Sequence, residues 1–486
     1  MQKKLEFKGG WGMAFIPIII FLVFCVLFFI VFKAFEMYAL AMGAFVGLLI
    51  GAIFVKKGQY GDFWNSVYSG VRESVPIGVL LFVIGIFSTL IKSCNVSSGF
   101  VWLADSLNVG GGLFTAFTFL AVCIIASATG SSIGSMFTCF PIFYPAGVLM
   151  GSNPAMLAGA IVCAAIFGDN LAPISDTTII SAATQQYTRK AGFAEVGGCV
   201  STRLKYSLVG GAITFFIFWL VGGGGSVGAG AEQILSQNMN PASLVMLIPV
   251  AVMLVVAVKT RDIYIASTIG IVLGTITGLA FGLIGFSDIL SVTNGAPSGF
   301  LTSGISGMMS TVTLVMSVYG IMGVLNAAGA LEKITNAIVG SRLGNTVRGT
   351  EIAMMLGICF TTLVFGGVTS ASMATFGKVQ NELGKKAGLH PYRRANLLDG
   401  FANSLPVVVP FLSCFAFIGA LLSQGYDFVA PLTVVQVASG MIYSMVLFVV
   451  LLFSVITGWG RDFEGEGGKR IKQRDLNDVP LVLAED

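Results

Sequence analysis

The segment from Ala164 to Gln185 is apolar at both ends, yet Asp169, Asn170, Pro173, Ser175, Asp176, Thr177 and Thr178 fall within about two to three helical turns of it. These residue types point to cation chemistry. Hydroxyls, amide oxygens and freed backbone carbonyls replace the water around a sodium ion without surplus charge. A carboxylate among them holds either sodium or a proton, but not both, and burial raises its proton affinity. Asp176 is the first candidate for that coupling group and Asp169 the second. A cap on the following half-helix is the structural alternative for Asp176.

Three further clusters offer similar oxygens. They are Thr129, Ser131 and Ser132 in ATGSS (Ala128 to Ser132); Thr369, Ser370 and Ser372 in GGVTSASMA (Gly366 to Ala374); and Asn403 and Ser404 in DGFANSLPVVVP (Asp399 to Pro410). With Asn170, Ser175, Thr177 and Thr178 they make four groups, expected to converge near the membrane midplane. Asp176, Thr177 and Ser131 are the expected sodium ligands. Small hydroxyl residues also serve close helix packing. Asp399 follows Arg393 and Arg394 and is expected to pair with one of them at a membrane edge, while Glu73 is expected to pair with Arg72. His390, in a basic loop, is expected to be solvated. No Cys/His spacing suggests a metal centre, and no GxSxG or phosphate-binding loop suggests an enzyme.

The elements that must position these groups are membrane helices. Of 486 residues, 55% are hydrophobic and only 10% charged, and the mean hydropathy is +0.89. That composition describes a polytopic membrane protein. A carboxylate at bilayer depth costs at least a few kcal/mol, and Pro173 removes a backbone donor, so the helix is expected to break there and to be shielded by protein or water. Apolar runs predict spans at Ala14 to Phe32, Tyr38 to Val55, Val75 to Ile91, Tyr206 to Val221, Leu244 to Val258, Ile263 to Ile284, Phe300 to Leu325 and Pro431 to Ile456. Arg189, Lys190, Arg203 and Lys205 form the strongest basic loop, which positive-inside bias places in the cytoplasm.

The order of parts recurs. Residues 1–13 form an N-terminal segment, and residues 14–221 a first unit with a re-entrant hairpin at 113–150 and a broken helix at 155–187. The Gly-rich stretch 222–243 reads as a connector. A second unit, 244–459, has its hairpin at 351–378 and its broken helix at 395–421, and a charged tail, disordered or surface-bound, runs from 460 to 486. NLAP (Asn170 to Pro173) and NSLP (Asn403 to Pro406) match at an offset of 233, and Gly70 and Gly304 at 234. About five spans plus one hairpin per unit is an odd number of crossings, which would invert the second unit relative to the first. The expected fold class is an all-α polytopic membrane protein made of two inverted-topology repeats.

ATGSSIGS (Ala128 to Ser135) followed by FGDNLAPISDTTIISAA (Phe167 to Ala183) resembles the signature of the NhaC-type sodium/proton antiporter family, which includes relatives exchanging organic acids against sodium and protons. The resemblance implies an elevator-type transporter in a plasma (inner) membrane; both termini are expected to be cytoplasmic. The expected activity is sodium/proton exchange by alternating access, and the alternative is sodium-coupled transport of a small organic anion or amino acid. A channel and a membrane enzyme are the competing classes; paired interrupted segments fit alternating access better than a continuous pore. No cofactor is expected beyond sodium as transported or coupling ion. Expected partners are the bilayer, sodium and protons, with a small organic acid or amino acid and a second copy of the chain as further candidates, and no nucleic acid.

Overall fold

A computed structural model describes residues 4–32, 37–106, 109–173, 175–225, 239–260, 262–293, 295–330, 333 and 346–473. Most of the expected connector, 226–238, and the end of the tail lie outside the described residues. Among the described residues seven helices are long and apolar enough to cross a membrane, or up to eight if one bent pair forms a single span; four shorter apolar helices accompany them. The architecture is all-helical apart from two small β-ribbons.

Helices α1 (Ile16–Val26) and α2 (Met37–Ile53) pack together, α2 also against the later helix Phe300–Ala327, and α3 (Tyr60–Ser93) follows. The sequence predicts a span only from Val75, whereas α3 runs unbroken through Arg72 and Glu73. Both residues are exposed and line a polar cavity with Lys4 and Asp62, and no ion pair joins them among the described residues. After α4 (Val96–Ser106) come α5 (Gly111–Thr129) and α6 (Ser132–Leu149), which meet at a tip formed by Gly130 and Ser131. Gly130 turns the chain at φ 67°, a left-handed conformation suited to glycine. Pro141 and Pro145, which suggest an interruption, lie inside a continuous α6.

Helix α7 (Pro154–Leu171) starts on Asn153, whose side chain accepts from the amides of Ala155 and Met156. It ends at Ala172, held extended ahead of Pro173, and α8 (Asp176–Ala183) restarts on the cap Ser175. Helix α9 (Val196–Val221) begins well before the expected Tyr206, so Arg203 and Lys205 are helical rather than in a loop. The short α10 (Leu247–Thr260) and α11 (Ile263–Ala280) lead to α12 (Phe300–Ala327).

Helices α3 and α12 pack along much of their length, and glycines allow it. A Cβ on Gly70 would strike the carbonyl of Tyr319, and one on Gly323 that of Ser66. Farther along, Gly85 and Gly304 let the two backbones approach in the same way.

A second helical hairpin, α13 (Val347–Val364) and α14 (Thr369–Lys386), extends beyond the expected 351–378 and turns through Gly366 and Gly367 at φ 59° and 79°. Helix α15 (Pro391–Ala402) stops at Asn403; a 3-10 turn (Leu405–Val408) and irregular chain through Pro410 follow before α16 (Cys414–Leu422). The predicted span 431–456 is instead a pair, α17 (Val434–Gly440) and α18 (Ile442–Thr457), bent by 51° where Gly440 presses on Gly159 of α7. Part of the tail is packed, contrary to expectation. Phe463–Glu464 pairs with Arg470–Ile471, and the buried Glu464 carboxylate accepts from the amides of Thr188 and Arg189.

Candidate functional site

The first tip, the first break and the second tip border one cavity of about 420 Å³. Thr129, Ser131 and Ser132 come from the α5–α6 tip, Asp169, Asp176 and Thr177 from the α7–α8 break, and Thr369 and Ser370 from the α13–α14 tip. The opposite wall is the apolar face of α12.

Asp169 is the buried carboxylate of the site. Its Oδ2 accepts from Ser132 Oγ at 3.0 Å, and its Oδ1 accepts from Ser175 Oγ. Ser175 also contacts Thr177 Oγ1 at 2.8 Å and caps the Thr177 amide. Gly168 brings this end of α7 against Ala126 and Ser127 of α5; any Cβ there would push the acid away from the tip. No ion pair reaches Asp169 among the described residues, and its bonding partners are hydroxyls. Asp176, expected to be the enclosed acid, is instead exposed at the start of α8, where its side chain lines the cavity. Once the helix breaks, its angular phase resets, so two acids seven residues apart no longer share one environment.

Asn170, Thr178 and Asn403 do not line the cavity and gather with Arg203 around Asp399. This carboxylate is fully buried and pairs with Arg203 at 2.6 Å rather than with Arg393 or Arg394. It also accepts from Asn170 at 2.7 Å, Asn403 at 2.8 Å and Ser181 at 3.1 Å. Arg203 donates further to the Asn170 carbonyl, to Thr178 Oγ1, to Ser181 Oγ and to Asn396 Oδ1. The two breaks therefore meet through the Asn170–Asp399 hydrogen bond, braced by Arg203 of α9, and both also border the cavity, the second through Phe411 and Leu412. Ser404 bonds the Phe401 carbonyl and Ser372 bonds Thr362; neither lines the cavity. Arg393 pairs with the buried Glu351, which also takes Arg461, while Arg394 bonds Asn381 and the Gln186 carbonyl.

His390 is buried rather than solvated. Its Nδ1 accepts from the Tyr392 amide at 3.1 Å, capping α15, and its Nε2 faces the Gly468 carbonyl at 3.1 Å. That pairing fits the neutral ring protonated on Nε2. Burial pushes its pKa down to about 4, against the opposing pull of the Gly468 carbonyl.

Residues 11–190 match the model of the Na+/H+ antiporter family. The malate-2H+/Na+-lactate antiporter of Bacillus subtilis (strain 168) is 25% identical over 364 residues, 71% of this chain and 74% of that protein. The Na+/H+ antiporter NhaC of Alkalihalophilus pseudofirmus is 24% identical over 318 residues, covering 60% of this chain and 65% of that one. This chain is thus similar to the NhaC-type sodium/proton antiporters over part of its length. Their family is one of transporters, and seven helices among the described residues of this chain are long and apolar enough to cross a membrane. Among solved structures, MtrF of Neisseria gonorrhoeae, of a class of antimetabolite efflux pumps, is 12% identical, with 87% of this chain and 95% of that one covered at a TM-score of 0.41.

Both NhaC-like motifs, with Asp169 and Asp176, lie inside the matched region, whereas Arg203 and Asp399 lie outside it. Sequence reasoning missed Arg203, Asn396, Ser181 and Ser207, the last donating to Asn170 Oδ1 at 2.9 Å. The signal for Arg203 in the sequence is its place ahead of the apolar run beginning at Tyr206, a position that also suits a loop.

Proposed function

We propose that this chain exchanges sodium for protons by alternating access, with Asp169 as the carboxylate that both cations share. The observation carrying this reading is a buried acid whose bonds come from hydroxyls and not from a basic side chain. An ionised carboxylate in that position is costly until a cation compensates it, and a proton or a sodium ion does so equally well in charge. Ser132, Ser175 and Thr177 supply neutral oxygens beside it. In this reading Asp176 faces the cavity as the acid that draws cations in, while Thr129, Ser131, Thr369 and Ser370 complete the oxygen lining. The empty, ionised site resists crossing, which couples the two fluxes.

The two hairpins and two broken helices are taken as parts of inverted repeats, 14–221 and 244–459, joined by 222–243. The α3–α12 pair acts as a scaffold against which the tips slide. Both termini are placed on the cytoplasmic side of the plasma membrane. The size of the cavity favours a second reading, in which an organic solute travels with sodium.

The test uses purified full-length protein in liposomes carrying an internal pH dye. A sodium jump without any organic solute should alkalinise or acidify the lumen according to the gradient, and Asp169→Asn should abolish the response. Persistent exchange in a folded Asp169→Asn protein would remove Asp169 from the coupling role.

A further inference from the structure

The cavity is larger than a sodium ion or proton requires. Its volume of about 420 Å³ falls within the range of organic-ligand sites. Much of its wall is apolar, with Leu314, Val318 and Met322 on α12 facing Phe411 and Phe415 from the second broken segment. The charged residues lining it are Asp169 and Asp176, with no lysine, arginine or histidine among the described residues around it. When Asp169 holds its cation, Asp176 remains as an uncompensated negative charge opposite a greasy wall.

A second observation points the same way. Thr311 on α12 lines this cavity, is 1% exposed, and its hydroxyl has no hydrogen-bond partner. A threonine within a helix commonly bonds the carbonyl a turn earlier, as Thr313 does with Met309. Thr311 is thus a buried hydroxyl on a residue of the cavity wall with its bonding capacity unused. Across from it, α14 begins at Thr369 after Val368, whose side chain gives no cap.

We propose that the cavity binds an organic ammonium ion on an apolar body, with Asp176 taking the ammonium, Thr311 a further polar contact and the α12 face the apolar part. This deepens the transport reading above and rests on the same cavity. The shared chemistry has two sources. A free amine would use Asp176 and Thr311, while an apolar amino acid would also place its carboxylate at the uncapped first turn of α14. An organic acid lacking an amine meets two carboxylates and no base.

The test is equilibrium binding to the purified full-length protein, in sodium and in its absence, with phenethylamine, L-phenylalanine, L-lactate and L-malate as probes. Saturable binding of phenethylamine, of phenylalanine or of both is expected. Phenethylamine alone identifies the free amine, and markedly tighter phenylalanine identifies the amino acid. Asp176→Asn should weaken binding by about tenfold or more and Thr311→Val by about threefold or more, with Asp176→Glu restoring part of it. Size-exclusion profiles and thermal unfolding identify variants that fail to fold. Binding of neither amine, binding of lactate or malate alone, or amine binding unchanged in both folded variants would overturn the proposal. Sodium-driven pH changes in liposomes separate the two readings. If they persist where no amine binds, this inference alone fails; if they are absent where amine binding persists, the sodium/proton reading fails and this one stands.

Discussion

Asp169 and Asp399 are both buried carboxylates beside a helix break, and they differ in what compensates them. Asp169, at the end of α7, is held by Ser132 and Ser175 at the edge of the cavity. Asp399, near the end of α15, is locked by Arg203 and three neutral donors away from it. A guanidinium cannot leave, so the second acid is permanently neutralised, whereas the first must borrow its counter-charge from solution. On the proposed reading, the same residue type serves exchange in one place and rigidity in the other.

The comparison breaks most visibly if the two acids are neutralised in turn. Asp169→Asn should reduce sodium-dependent proton movement to the level of protein-free liposomes, yet leave the protein as stable as before or more so, because an uncompensated buried charge has been removed. Asp399→Asn or Arg203→Gln should do the reverse to stability. Breaking a buried pair from one side typically costs about 3–5 kcal/mol. Thermal unfolding of the purified protein checks both, and the double variant Arg203→Gln/Asp399→Asn should recover part of the loss. If Asp399→Asn unfolded no earlier than wild type, the rigid half of the contrast would be wrong.

A smaller effect is expected outside both acids. Gly323→Ala places a methyl group against the Ser66 carbonyl at the α3–α12 crossing. Overpacking of this kind costs about 1–3 kcal/mol. If α3 and α12 form the scaffold, thermal stability should fall while the sodium concentration giving half-maximal exchange stays near the wild-type value. A large shift in that concentration would tie the crossing to the Asp169 site and erase the separation assumed here.

Much of this organisation was legible because polar residues and prolines are expensive in an apolar run. The interruptions at 172–175 and 403–413 fall where Pro173, Pro406 and Pro410 put them, and the tips fall at Gly130 and at Gly366 and Gly367. Which acid is enclosed was not legible. Periodicity relates Asp169 to Asp176 only while a helix continues, and the break leaves Asp169 buried and Asp176 exposed along the same cavity. Arg203 was hidden for a different reason. Loop rules count basic residues as signs of water, but a guanidinium with an internal carboxylate and several carbonyl or hydroxyl acceptors needs none. Its partner lies 196 residues away in the chain, a distance no local pattern bridges.

The helix that carries Asp399 offers the finest test, through the single histidine of the chain. His390 caps α15 in its neutral form, with its pKa pushed down to about 4 by burial. Unfolded, it would titrate near its ordinary value of about 6.5. Above that value both states are neutral and the residue adds no pH dependence. As pH falls from about 6.5 towards 4, the unfolded chain takes up a proton that the folded one refuses, so stability declines by on the order of 1 kcal/mol per pH unit. His390→Asn keeps an oxygen to cap the Tyr392 amide but cannot titrate. Its unfolding temperature should therefore drop less than the wild type's between neutral and mildly acidic pH, while the pH profile of exchange, set at Asp169, should keep its shape. An altered exchange profile in His390→Asn would show that the locked region and the exchanging one are coupled after all.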